Sequence, residues 1–266
     1  GRRRVMLVSF ASGPTVVYKP RDVGTEEAFA SFIAWANREG LEPQQRAMRV
    51  VARDDYGWSE YADASSFGSS AHVEAYYRQA GGLLALAYLL RARDLQMENI
   101  IATADGPVLI DAEMVMQPIA DTDVDEAGKT KPESCLASGL LTLSHVGPGD
   151  LVYDIGGLSG DGITPTSLSR RVWRDLGEDT IHFKDERVIT QPTKNRVLLD
   201  GELQRPGSYG EALLDGFTST YRWLVAHRDA LLDVRPDRGA GQAARSRSEG
   251  IRHPPPLPAQ DRYRRL

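Results

Sequence analysis

An acid at position 94, an amide at 99 and a second acid at 111 lie within one short stretch, DLQMENIIATADGPVLIDAE, residues 94–113. Carboxylate and amide oxygens are the donors that Mg²⁺ prefers, and a carboxylate held in a loop can orient a hydroxyl group. Lys19 ends the β-branched run TVVYK (15–19), where its ammonium can reach a phosphate. Together these residues supply what phosphoryl transfer asks of a polypeptide: a cation on the nucleotide phosphates, oxygen ligands for the metal, and a carboxylate for the nucleophile. Singly, each has an ordinary structural role. Lys19 fits a surface strand end, Asp94 a capping acid, Asn99 a turn and Asp111 a loop. Their order and spacing point to a site. Gln96 and Glu113 sit beside them, although alternation at a strand end can equally send Glu113 to solvent.

The elements around these residues must bring them together. RVMLVSF (4–10) and TVVYK are separated by the turn signal ASGP, and this predicts a hairpin, with Pro20 ending the ladder. Thr25 is placed to cap a helix over 26–38, with Phe29, Phe32, Ile33 and Ala36 at helical spacing and Gly40 at its end. MRVVAR and WSEYA, on either side of the Asp54–Gly57 turn, add two strands. A long buried helix is expected from His72 to Leu90, from apolar residues at 73, 76, 77, 80, 84, 87 and 88. NIIATA and PVLID flank Asp105-Gly106, a strong hairpin signal that places both acids beside strand ends. Protein kinases space the base Asp and metal-binding Asn of their catalytic loop by the same five positions, and place a further metal-binding Asp beyond. A small sheet with a lysine, a hinge near 60–66 and a helical part follow one another as in that fold. The Asp- and Gly-rich region to about residue 162 has little periodicity and suggests a mobile loop beside the site. Helical patterning returns at 166–176 and at 209–233, where Leu213, Phe217, Tyr221, Leu224 and Leu231 share one face.

Composition narrows the classes of function. The chain has 266 residues, enough for one large domain or two lobes around a cleft. Its 32 basic and 37 acidic residues leave a net charge of −5, which argues against a nucleic-acid surface. Basic residues are mostly Arg, a side chain suited to bidentate phosphate or carboxylate contacts. The single cysteine, Cys135, excludes an internal disulfide framework and reads as a small buried hydrophobe; a cytoplasmic location is expected. The longest apolar run, LLALAYLL (83–90), is too short to cross a bilayer. The opening GRRRV lacks an initiator Met and suggests a piece of something longer. Residues 234–266 change to an Arg, Ala, Pro and Gly composition without period and read as a disordered or out-of-frame tail.

At these residues the sequence resembles the dehydratase domain of class II lanthipeptide synthetases, the LanM type, over residues 1–233. The resemblance rests on VVYKPRD with its FxxFIAWAN helix, YGWSEYA, EAYYRQAGGLLALAYLL, DLQMENII, PVLIDAE, ESCLASGLL, GGLSG, and NRVLLDGE with GFTSTYRWL. It implies an α+β, two-lobed, kinase-like fold akin to lipid kinases, with a β-rich N-lobe over 1–62, a mainly helical C-lobe over 63–233 and the tail beyond. It implies ATP and Mg²⁺ as cofactors and a precursor peptide as partner. Ser and Thr of that peptide are phosphorylated, and phosphate is then eliminated to leave dehydroalanine or dehydrobutyrine. Carried over by position, Lys19 grips ATP phosphates, Asp94 orients the substrate hydroxyl, and Asn99 and Asp111 hold Mg²⁺. Glu113 is a site residue of open role, and Arg21 either adds charge near phosphate or solvates the strand end. No oligomer is implied.

The sequence departs from the family at defined points. Gln96 stands where the family has a histidine, and it can hydrogen-bond but cannot act as acid or base. The G-D-x-H motif expected before the first strand is reduced to a possible remnant at Gly1-Arg2. Within these 266 residues neither the R-x-T-x-x-Y pattern associated with elimination, expected after residue 233, nor a zinc cyclase is recognised. Two rivals therefore stand beside this reading: an unrelated kinase-fold phosphotransferase, and a degenerate pseudokinase that binds peptide or nucleotide without turnover.

Overall fold

The computed structural model describes residues 4–116, 134–141, 144–146, 152–159, 164–190 and 193–233. Residues 4–60 form a four-stranded antiparallel sheet covered by one helix. Strands β1 (Met6–Ser9), β2 (Thr15–Lys19), β3 (Val50–Ala52) and β4 (Gly57–Glu60) pair in the order β1-β2-β4-β3. Lys19 at the end of β2 lies opposite Gly57. A Cβ at Gly57 would fall 2.0 Å from Val23 Cγ2, so the glycine lets the turn into the helix pack against the strand end.

Helix α1 spans Gly24–Arg38. The expected Thr25 cap is not formed, because the helix begins earlier; Asp22 Oδ1 accepts from the Gly24 N–H at 2.8 Å instead. The other end behaves as predicted. Gly40 takes φ +83°, its N–H donates to Asn37 O, and Leu41 N–H donates to Ala36 O. This paired arrangement satisfies the last carbonyls of a helix and needs a residue tolerant of the left-handed region. Leu41 is then fully buried with Ile33, Ala36, Leu86, Trp223 and Leu224, which ties α1 to the helices below it.

Helix α2 (Ser70–Leu89) is capped by Ser69, whose side chain accepts from His72 N–H. Val73, Tyr76, Tyr77, Ala80, Leu84 and Ala87 are buried as the periodicity predicts, but Tyr88 turns partly to solvent. α2 packs against α3 (Gly210–Ala226) at a reciprocal glycine contact. A Cβ at Gly81 would lie 1.9 Å from Leu213 O, and one at Gly216 would lie 1.8 Å from Arg78 O. The buried face of α3 is Gly216, Thr220, Trp223 and Leu224, so Tyr221, expected inside, is exposed. In place of the expected single helix over 209–233, α3 ends at Ala226 with His227 as its cap, and a short α4 (Arg228–Asp233) follows.

Strands β5 (Ile100–Thr103) and β6 (Gly106–Leu109) form the hairpin signalled by Asp105-Gly106. The region expected as an unstructured loop contains, among its described residues, a 3₁₀ turn at Cys135–Ser138 and the strand pair β7 (Ser144–Val146) and β8 (Val152–Asp154). Cys135 is half-buried against the main core, and burial pushes its thiol pKa up. The helix expected at 166–176 is strand β9 (Thr164–Arg174), paired with β10 (His182–Thr190). Its Thr164, Thr166, Val172 and Trp173 favour an extended backbone, and the partner strand supplies the hydrogen bonds. Two short strands, β11 (Leu198–Leu199) and β12 (Glu202–Leu203), precede α3. Among the described residues no helix is long and apolar enough to cross a membrane. Residues 234–266, with the expected tail, and the Gly1-Arg2 remnant lie outside the described residues.

Candidate functional site

Two segments separated by ninety residues meet at the end of β2. Lys19 is 7% exposed, and its Nζ donates to Glu26 Oε1 at 2.7 Å and to the carbonyl of Ile110 at 2.6 Å. The second bond joins the sheet directly to the residue preceding Asp111. Arg21, two positions beyond Lys19, bridges the same gap with its guanidinium. Its Nη2 donates to Glu26 Oε1 at 2.9 Å and Asp111 Oδ1 at 2.8 Å, and its Nη1 lies 3.1 Å from Glu113 Oε2. Burial works against the Arg21 charge, but Glu26, Asp111 and Glu113 outweigh it and raise its pKa.

Glu26 is the site residue that the sequence reading misses. It sits in the first turn of α1, where an acid also suits the helix dipole, and that ordinary role hides it. A usable signal was present: the helix following a phosphate-gripping lysine strand supplies an ion-pairing glutamate in protein kinases. Its carboxyl is 6% exposed, and one oxygen receives both cations while Oε2 has no protein hydrogen-bond partner. Burial pushes its pKa up, against the pull of Lys19 and Arg21. Behind the pair, a cavity of about 20 Å³ is lined by Phe29, Ala30, Ile33, Ser59, Leu83 and Leu109, enough for one water molecule.

Asp94 and Asn99 lie on the neighbouring loop. The chain leaves α2 through Arg91 and turns at Asp94, which takes φ +65°, a region open to Asp because its short polar side chain can bond locally. Asn99 Nδ2 donates to the Asp94 carbonyl at 2.8 Å and to its Oδ2 at 3.2 Å, closing the loop on itself. Leu95 is buried beneath it. Asn99 O accepts from Ile110 N–H at 2.9 Å, so Asn99 stands across the hairpin from the residue that Lys19 holds. Asp94 is exposed, while Asn99 and Asp111 are half-buried.

Distant segments fix this loop through its backbone. Leu95 N–H donates to Ser138 O at 2.8 Å, Met97 N–H to Ile155 O at 3.1 Å, and Gln96 forms a bridge with Gly156. Gly157 lies so close that a Cβ there would sit 2.2 Å from Leu95 O. Asn195, buried, donates to Gly157 O at 2.9 Å and also to Ser159 O. The ESCLASGLL, GGLSG and NRVLLDGE stretches thus meet around one loop. Gln96 is held there by its backbone, with no acid or base in its side chain.

The donors present suit a magnesium ion. Asp111 Oδ1 is engaged by Arg21 and by Glu113 N–H at 3.3 Å, which leaves Oδ2 as the atom for another ligand. Asn99 commits its amide nitrogen to Asp94, which leaves its oxygen. Among the described residues no group of three or more His, Cys, Asp or Glu gathers as a metal site, so any bound cation takes its remaining ligands from elsewhere, as Mg²⁺ does from phosphates and water.

The profile of a family described as "Domain of unknown function (DUF4135)" matches residues 1–238. The lacticin 481/lactococcin biosynthesis protein LcnDR2 of Lactococcus lactis subsp. lactis is 26% identical over 237 residues, which cover 82% of this chain and 25% of that relative. The chain therefore spans about a quarter of the relative's length. With residues 1–238 of its 266 matched, the chain belongs to the DUF4135 family, and the likeness to LanM-type class II lanthipeptide synthetases read from its motifs stands.

Proposed function

We propose that this site transfers a phosphoryl group from ATP to Ser and Thr hydroxyls of a lanthipeptide precursor peptide, on a two-lobed kinase-like fold. The observation that carries the reading is the convergence of Lys19, Ile110 and Asp111 across ninety residues of sequence, with Nζ 2.6 Å from the carbonyl next to the acid. The relative's printed role in lacticin 481 biosynthesis supports peptide modification as the setting. Asp94 accepts the proton of the attacking hydroxyl and fixes its direction. Lys19, held by Glu26, faces the phosphates. Asn99 and Asp111 hold Mg²⁺, which when bound neutralises charge on the phosphates. The hydroxyl oxygen bonds to the terminal phosphorus as the bond to the bridging oxygen breaks, and ADP leaves. In the whole enzyme a second step removes a proton from the substrate Cα and expels phosphate from Cβ, giving dehydroalanine or dehydrobutyrine.

Radiolabelled ATP, a Ser/Thr peptide and the protein test this directly. Label should pass to the peptide in a Mg²⁺-dependent way and be lost in Asp111→Asn. Nucleotide binding without any transfer, in the parent and with every peptide tried, would favour a pseudokinase; the uncatalytic Gln96 is the observation behind that second reading.

A further inference from the structure

Arg21 has more acceptors than a strand-end side chain needs. Its two terminal nitrogens reach Glu26, Asp111 and Glu113, and Nη1 also donates to Asp22 O at 3.3 Å. Both nitrogens are thus committed to oxygens that come from two separate segments, residues 22–26 and 111–113. Asp111 Oδ1, shared between Arg21 and the Glu113 N–H, is pinned. A carboxylate with one oxygen pinned presents the other in a fixed direction, the way outer partners orient metal ligands.

We propose that Arg21 is a positioning residue for the metal site: it locks Asp111 through Oδ1 so that Oδ2 faces the cation. It is not itself a phosphate ligand. The proposal rests on the Mg²⁺ role given to Asp111 above. Three roles for Arg21 predict three different results with metal alone. A phosphate ligand leaves metal binding unchanged when removed. A simple neighbouring positive charge repels the cation, so its removal tightens binding. A positioning residue gives the opposite sign, because Asp111 loses its fixed orientation and binding weakens.

Lysine cannot replace it. An ammonium is a point charge without the planar fork that spans separated carboxylates. Arg21→Lys therefore keeps the charge and loses the geometry.

The test is titration of Mn²⁺ alone, without nucleotide, into the protein and its variants, following free Mn²⁺ by electron paramagnetic resonance. Arg21→Gln should bind Mn²⁺ about tenfold more weakly, the scale on which outer partners of metal ligands act. Arg21→Lys should recover little of that loss. Unchanged or tighter binding in Arg21→Gln, with the Asp111→Asn loss intact, overturns the positioning role alone. Should Arg21→Gln fail to fold, by circular dichroism, Arg21→Lys decides, and parental affinity in it overturns the proposal. If Asp111→Asn leaves the titration unaltered, or the parent binds no Mn²⁺, the metal site itself is wrong and the proposal falls with it.

Discussion

The two halves of the site are built on opposite plans. On the sheet side, Lys19 and Glu26 are buried and lock each other within 2.7 Å. On the loop side, Asp94 is exposed and Asn99 half-buried, and their bonds run to one another. The charges of the buried half must be paired, because an uncompensated charge there is costly. The exposed half gains almost nothing in stability from its polar groups and is left available for a ligand. Changes in the first half should therefore register in folding, and changes in the second in chemistry.

Asp94→Asn gives the sharpest contrast. Phosphorylation should fall about 10²- to 10⁴-fold, the usual worth of a positioned general base, while the melting temperature stays within a degree or two of the parent's. A large loss of stability in this variant would show that the exposed half is structural after all. Glu26→Ala should do the reverse. It leaves the buried Lys19 ammonium with the Ile110 carbonyl but without its carboxylate, and chemical denaturation should report a loss of about 3–5 kcal/mol, as for a broken buried ion pair.

Gly157→Ala probes the support beneath the loop. The added methyl meets Leu95 O, Ile100 and Leu140, so stability should fall by about 1–3 kcal/mol, as for overpacking. Activity should fall with it because the Asp94 turn shifts. Retained activity would mean the loop is set by its own bonds and not by the segment below.

The smallest expected effect is on pH. The Glu26 carboxyl is pushed above its ordinary value of 4.5 by burial, with Lys19 and Arg21 opposing. A raised carboxyl contributes stability that is complete below the unfolded pKa and is lost as pH rises through the folded one. The stability advantage of the parent over Glu26→Gln should narrow as pH increases from 4.5. A gap that widens instead would mean that the ion pairs outweigh burial.

Local chemistry made part of this legible from sequence. The Asp105-Gly106 hairpin, the stop at Gly40 and the five-residue offset of Asp94 and Asn99 are short-range patterns, and the structure forms both the hairpin and the stop. Lys19 and Asp111 are assigned to one site from order and spacing, and their segments do meet. Glu26 was not legible because an acid in a first helical turn has an innocent explanation. Residues 166–176 read as helix from their patterning alone, whereas the next segment of the chain, β10, supplies the partner that makes them a strand. The bonds from Ser138, Ile155 and Gly156 to the loop leave no local period at all.

The dependence of the Asp94 loop on later segments bears on synthesis at the ribosome. All the groups proposed for phosphoryl transfer have been translated by Glu113, yet the carbonyls of Ser138 and Ile155 that hold the loop, and the Asn195 amide that holds Gly157 beneath it, arrive only afterwards. A growing polypeptide halted before Asn195 carries every side chain proposed for the transfer without the complete frame around them. The frame around the Asp94 loop is thus timed by chain length: it is complete only once the buried asparagine has emerged.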